Sequence, residues 1–384
     1  MKSIGITLKM KSLNNVWANG LHQNIISLYK LLSKTGAYDV SFILDHLSSE
    51  KEDFIKTQEQ QEDKMVSIFD VMDGTVTFDI ILEAAVSFSD RHIEKMKSDN
   101  KDMKMISVLY GNPYITDMEK LLFNHDETKQ FSLIKDYHSK RDEYWISPHF
   151  QISKGYLETL TKAPVRICPY IWSPEFLEKE LDYYEKRDGH RNVYDQNKIK
   201  SVAVLEPNLN IVKTSIIPAL VAEQLYCDEK RQIPEKTYLF GTDIIKERKE
   251  AISLLGHLEI TKDKRMFFEG RYRFLHIFKS HAGTLLCHHF HNGLNYVYLE
   301  ALYLGLPLVH NSEFLQGAGY YYDGFDIKDG ARALKEAITT HDSRREEYQK
   351  TANQFIWQYS PENPININGY VELVEGLFPN YLRS

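Results

Sequence analysis

Short apolar runs alternate along this chain with longer stretches in which apolar residues recur every three to four positions. Residues 3–8, 40–44, 78–82 and 105–110 are the runs of the first half, rich in Ile, Val and Leu. Between the first two, Leu21, Ile25, Leu28, Leu31 and Leu32 repeat at helical spacing, and the helix they predict opens just after Asn19-Gly20. Strand-length runs separated by helical patterns predict βα units and a mostly parallel sheet. A second series follows, with strands expected at 201–205, 237–240, 258–260, 284–287 and 307–310, and helices at 216–226, 296–303 and 331–338. Two such series predict an α/β protein with two Rossmann-like domains.

Pro169-Tyr-Ile-Trp-Ser-Pro174 and the charged run 175–200 read as a linker leading into an amphipathic helix. The expected boundary is therefore Trp172, with residues 1–171 forming one domain and 172–384 the other, and the last helix free to pack back on the first. The polar stretch 45–64 reads as a solvated loop or exposed helix.

Composition narrows the class. A chain of 384 residues with 42% hydrophobic and 26% charged residues is globular and long enough for two cores. Its net charge of -7 argues against a surface that is a polyanion-binding field throughout, while leaving room for a local basic groove. Cys168, Cys227 and Cys287 are widely spaced and odd in number, as expected in a reduced, cytoplasmic compartment. The first strand lacks the apolar stretch of a secretion signal, and the most apolar region, 296–309, is interrupted by Glu300, so no membrane span is expected.

The densest chemistry lies in His288-His-Phe-His-Asn-Gly-Leu-Asn295, a polar loop between an expected strand and the helix 296–303, followed by Gly305 and the strand-like Leu306–Val309. Ligands of an open parallel sheet gather at strand carboxyl ends, where this loop and His310-Asn-Ser312 should lie. Asn292, Asn295 and Asn311 serve equally well as caps or ligand contacts. A zinc site at His281, His288, His289 and His291 lacks a cysteine or carboxylate to complete it, and polar donors for a diphosphate explain these residues better. Glu206-Pro-Asn-Leu-Asn-Ile-Val-Lys213 is a second such loop, offering helix N–H groups and the Lys213 charge to phosphate. Arg271 is a further phosphate candidate, set among alternating basic and aromatic residues that suit either nucleic acid or an amphipathic helix.

Glu300 and Gly305-Leu-Pro-Leu-Val309 resemble the nucleotide-binding motif of retaining GT-B glycosyltransferases, in which two acids eight positions apart precede a Gly-x-Pro strand. Position 292, where the first acid belongs, is Asn. The chain looks closer still to a group of glycosyltransferase-like proteins of bacteria and their viruses. That likeness runs through Trp17-Ala-Asn-Gly-Leu-His-Gln-Asn24, Tyr110-Gly-Asn-Pro-Tyr114, Trp145-Ile-Ser-Pro-His149 and Leu308-Val-His-Asn-Ser312.

The resemblance implies two domains facing each other across a cleft and a nucleoside diphosphate sugar as donor, with no cofactor or catalytic metal. It implies Glu300 on the donor ribose, Lys213 on the diphosphate, and Asn19 and Gly20 facing the sugar or diphosphate. The acceptor is expected to be a glycan or, by likeness to viral members, a hydroxymethylated DNA base. Glu83, closing an apolar strand, is the expected general base, with His149 and Asp73 as competitors. A sugar-nucleotide epimerase on the same fold and a non-catalytic binding module are the rival readings.

Overall fold

The computed structural model describes residues 1–9, 20–45, 64–123 and 140–378, so residues 10–19, Asn19 among them, and most of the polar stretch (46–63) lie outside the described residues. The chain divides into two units, Met1–Ser173 with Tyr359–Ser384, and Pro174–Gln358.

In the first unit, β1 (Lys2–Leu8), β2 (Tyr38–Leu44), β3 (Met65–Ser67), β4 (Ile80–Glu83), β5 (Lys104–Leu109), β6 (Glu143–Ile146) and β7 (Val165–Ile167) form a parallel sheet in the order β3-β2-β1-β4-β5-β6-β7. Ile4 sits opposite Val40 on one side and Ile80 on the other, and every residue from Ile4 to Leu8 is buried. That is why β1 reads as an unbroken apolar run, since a central parallel strand is covered on both faces. Gly5 is required by the packing, because a Cβ there would lie 2.5 Å from the Ile43 side chain. The helix Gly20–Lys34 covers one face with Ile25, Leu28, Leu31 and Leu32. The C-terminal helix Pro364–Gly376 also belongs here: Tyr370 donates to the Pro169 carbonyl (2.8 Å), and Glu375 accepts from Tyr38 (2.9 Å) and Lys2 (3.2 Å).

The second unit carries β8 (Ser201–Val204), β9 (Lys236–Leu239), β10 (Met266–Phe268), β11 (Thr284–Leu286), β12 (Leu308–His310) and β13 (Tyr320–Tyr321), in the order β10-β9-β8-β11-β12-β13. Its core joins Val202, Val204, Leu239, Leu286 and Val309 to the helices Ile216–Asp228 and Ile327–Thr340. One expected strand is corrected: Leu258 precedes a short helix, Glu259–Lys262, and the edge strand is β10 instead. Glu223 decides the matter, its carboxylate accepting from the N–H groups of Glu259 (2.8 Å) and Ile260 (2.9 Å) as a helix N-terminus demands.

In both sheets the strand order runs outward from the first strand and then resumes on its other side. The reversal falls between β1 and β4 in one unit and between β8 and β11 in the other. Connections leave such a point toward opposite faces and open a crevice at the strand ends, where ligands of this architecture bind. Among the described residues no helix is long and apolar enough to cross a membrane.

Candidate functional site

The loop after β8 is held open by one asparagine. Asn208 adopts a left-handed backbone (φ 54°), which Asn tolerates better than most residues. Its side chain accepts from the Ser215 N–H (2.8 Å) and donates to the Glu206 carbonyl (2.8 Å) and the Ser215 hydroxyl (2.9 Å). The loop therefore folds back just before the helix Ile216–Asp228. It is tied to its neighbour across the reversal point by two bonds: the Phe290 N–H donates to the Val212 carbonyl (2.8 Å), and the His288 N–H to Glu206 Oε1 (3.2 Å).

Glu206 is buried at the junction. Burial pushes its carboxyl up to about 7, against the opposing pull of Lys213 and the His288 N–H. Burial likewise lowers the Lys213 ammonium, with Glu206 acting the other way. Glu206 and Lys213 share a poorly solvated pocket, where each favours the charged form of the other against the larger effect of burial. Sequence reasoning passed over Glu206, although its place directly after an apolar strand was the available signal.

The loop after β11 is equally ordered. Asn311 clamps it, accepting from the His289 N–H (3.0 Å) and donating to the His289 carbonyl (2.9 Å) and the Gly324 carbonyl (3.2 Å). Ser312 donates to the Gly293 carbonyl (2.5 Å), and a Cβ at Gly293 would approach the Phe314 ring to 2.7 Å. His291 takes a left-handed backbone (φ 51°), a conformation that in non-glycine residues clusters at functional sites.

The histidines differ in their bonding. Tyr322 has a single hydroxyl proton, given to the Cys287 carbonyl (2.9 Å), so His288 Nδ1, 3.0 Å from the Tyr322 hydroxyl oxygen, is the protonated nitrogen and donates to it. His289 is the reverse, since its Nδ1 accepts from the Asn292 N–H (3.1 Å) and the proton stands on Nε2. His310 donates from Nε2 to the Ala318 carbonyl (2.8 Å) and accepts the Ser312 N–H at Nδ1, fixing the strand end. Burial lowers all three, His288 and His310 to about 4 and His289 to about 3, so each ring is neutral at physiological pH.

Other expected site residues of this unit are arranged nearby or apart. Asn295 occupies the N-cap position of the helix Tyr296–Tyr303 without a side-chain capping bond. Glu300, one turn on, is part-buried, and burial with the neighbouring Glu180 raises its carboxyl to about 8. Arg271 is exposed, after β10, beside an aromatic and histidine cluster of Tyr238, Phe240, Tyr272, His276 and His281. His281 thus belongs to that cluster, apart from His288 and His289.

At the reversal point of the first unit, Glu83 is the last residue of β4 and only 3% exposed. Both its oxygens are engaged: Arg141 binds them through Nε and Nη2, the latter at 2.9 Å, and the Phe88 N–H donates at 2.6 Å. Burial raises its carboxyl, with Arg141 opposing. Thr7 closes the same corner, its hydroxyl accepting from the Ala84 N–H (2.8 Å) and donating to the Val86 carbonyl (2.9 Å). Asp73 is exposed and caps its own turn through the Thr75 N–H (2.8 Å), bonds that lower its carboxyl.

His149 is buried in the turn Pro148–Ser153, its ring against Phe150 (3.9 Å) and Tyr170 (5.3 Å). Gly20 opens the first helix, and two residues on lies His22, which sequence reasoning did not single out. His22 is buried and lowered by burial, the Lys9 carbonyl takes one ring nitrogen, and Nδ1 has no partner among the described residues.

Two parallel-sheet Rossmann-like units in one chain define the GT-B class of fold, and solved structures agree. The chain is similar to a glycosyltransferase from Rickettsia africae (11% identity, 99% of each chain covered, TM-score 0.54). It is similar also to sucrose-phosphate synthase from Thermosynechococcus elongatus (12% identity, 99% of this chain and 100% of that one, TM-score 0.58). A UDP-forming α,α-trehalose-phosphate synthase from Burkholderia xenovorans matches at 12% identity over 100% of both chains, with a TM-score of 0.58. No curated protein matches the sequence. The chain belongs to the family described as protein of unknown function DUF2827, whose model matches residues 4–374.

Proposed function

We propose that the protein transfers a sugar from a nucleoside diphosphate sugar, bound at the β8/β11 reversal point, to an acceptor hydroxyl. The observation that carries this reading is the junction of Lys213, Glu206 and the two ordered loops at the place where an open parallel sheet receives its ligand. Lys213 and the N-terminus of the helix Ile216–Asp228 supply positive potential for the diphosphate, with Arg271 as a second cation. Glu300 is protonated at neutral pH, so it both donates to and accepts from ribose hydroxyls. Asn292, Asn295 and Gly20 remain donor-side candidates.

Transfer forms a bond from the acceptor oxygen to the anomeric carbon as the bond to the diphosphate breaks, and the hydroxyl proton must leave. We assign Glu83 to an ion pair that fixes the loop after β4, because neither of its oxygens is open to a new proton. His149, and His22 with a neutral Nδ1 that has no partner among the described residues, are the bases we favour.

The test incubates the protein with several nucleotide sugars and, in parallel, oligosaccharides and hydroxymethylcytosine-containing DNA, with products read by mass spectrometry. A sugar-sized mass gain supports transfer and names the acceptor. UDP that raises the melting temperature in EDTA, with no transfer to any acceptor, would favour the binding-module reading, and sugar interconversion the epimerase. No stabilisation by any nucleoside diphosphate would sink the donor site.

A further inference from the structure

His288 and His289 are 3% and 5% exposed, and each has a buried Nε2 without a hydrogen-bond partner among the described residues. A buried polar atom left unpaired is costly, and in a crevice it marks where a ligand atom completes the set. The two atoms are not alike. His288 carries its proton on Nδ1, toward Tyr322, so its Nε2 is a bare lone pair; His289 carries its proton on Nε2, because Asn292 occupies Nδ1. One ring offers an acceptor and the next a donor.

That combination selects its ligand by chemistry. A phosphate or carboxylate oxygen would satisfy His289 but face a lone pair on His288. An ammonium would suit His288 and oppose the N–H of His289. A hydroxyl both donates and accepts, so a neutral polyol satisfies both rings. Their neutrality follows from burial, which the neighbouring Lys213 charge reinforces at His289. The titratable carboxyl facing the pair is Glu313, whose Oε2 stands 3.6 Å from His289 Nε2, beyond hydrogen-bonding distance. Glu313 is largely exposed, and so is Phe325, whose ring meets the His288 ring edge-on at 4.5 Å. Both covers are thus surface side chains able to turn away.

We propose that His288 and His289 form a neutral acceptor–donor pair that binds hydroxyls of the transferred sugar. This rests on the donor-site reading above, since Lys213, beside His289, sets where the diphosphate ends and the sugar begins. The pair is a specificity element, and it discriminates against donors that place a charge at this point.

The full-length protein labelled with ¹⁵N at histidine tests the tautomers directly. In a two-bond ¹H–¹⁵N spectrum near neutral pH, His288 should show Nδ1–H and His289 Nε2–H; the same tautomer on both rings, or a positively charged ring, overturns the proposal. Calorimetry then compares UDP with UDP-glucose, UDP-galactose, UDP-N-acetylglucosamine and UDP-glucuronate in wild type, His288→Phe and His289→Phe. At least one neutral sugar should bind more tightly than UDP, and each substitution should cut that increment roughly 3- to 10-fold while leaving UDP affinity unchanged. An increment untouched by both substitutions, with UDP still binding, overturns the pair and spares the donor site. Wild type that fails to bind UDP overturns the donor site and the pair with it.

Discussion

The two reversal points share a topology and differ in what their side chains leave over. At β1/β4, Glu83 spends both oxygens on Arg141 and Phe88, and Thr7 gathers the backbone behind them. At β8/β11, Glu206 and Lys213 influence one another's charge, and two histidines each keep a ring nitrogen unpaired among the described residues. A carboxylate at a strand end is therefore weak grounds for a catalytic role, because the same residue type also builds a self-satisfied corner. What separates the two is the hydrogen-bonding capacity that remains.

Arg141→Ala should have the largest effect and confine it to stability. It strands a buried carboxyl and should cost about 3–5 kcal/mol, seen as a lower denaturation midpoint, with UDP affinity retained. Loss of UDP binding in a folded variant would erase the contrast between the two corners. Lys213→Ala should do the opposite, weakening UDP binding by roughly 1.5–3 kcal/mol in calorimetry while the melting temperature changes little. Equal affinity in that variant would place the diphosphate elsewhere.

The β1 and β8 surroundings were legible in the sequence because central parallel strands are unbroken apolar runs. The run at Leu258 misled because three apolar residues fit a strand or a helix turn equally, and the carboxylate that decides, Glu223, is remote in sequence. The place of Lys213, on the loop between β8 and the helix Ile216–Asp228, was legible from the pattern of its flanks. The role of Glu83 was not, since its partner lies 58 residues away and an ion pair and a general base look identical in one dimension. Nor were the histidine tautomers, which depend on the Tyr322 hydroxyl and a loop N–H.

The pH profile sharpens the same contrast. Glu206 and Glu300 hold their protons up to about 7 and about 8 when folded, against an ordinary value of 4.5, so the stability they contribute is full below 4.5 and lost as pH rises through those folded values. His288, His289 and His310, at about 4, about 3 and about 4 against 6.5, contribute stability that is full above 6.5 and lost as pH falls toward those values. Three rings outweigh two carboxyls on the acid side. The melting temperature should peak near pH 6.5 and decline gently toward pH 8. Glu300→Gln should flatten that alkaline decline, because Glu206 has lost its proton by about pH 7, and an unchanged slope would remove Glu300 from the account.

Glu300 gives the smallest expected effect. Its carboxyl is protonated at neutral pH, so Glu300→Gln preserves a donor and an acceptor and should change UDP affinity by less than about 0.5 kcal/mol, whereas Glu300→Ala should cost about 0.5–1.5 kcal/mol. A large loss on Gln would mean that the charged form binds the ribose.

Amide hydrogen exchange with and without UDP tests the central claim most directly, because it reads both corners in one sample. Binding at β8/β11 should slow exchange across residues 206–215 and 287–293, leaving 84–88 unchanged. Protection at 84–88 with none at 206–215 or 287–293 would contradict the assignment of the donor to the second unit.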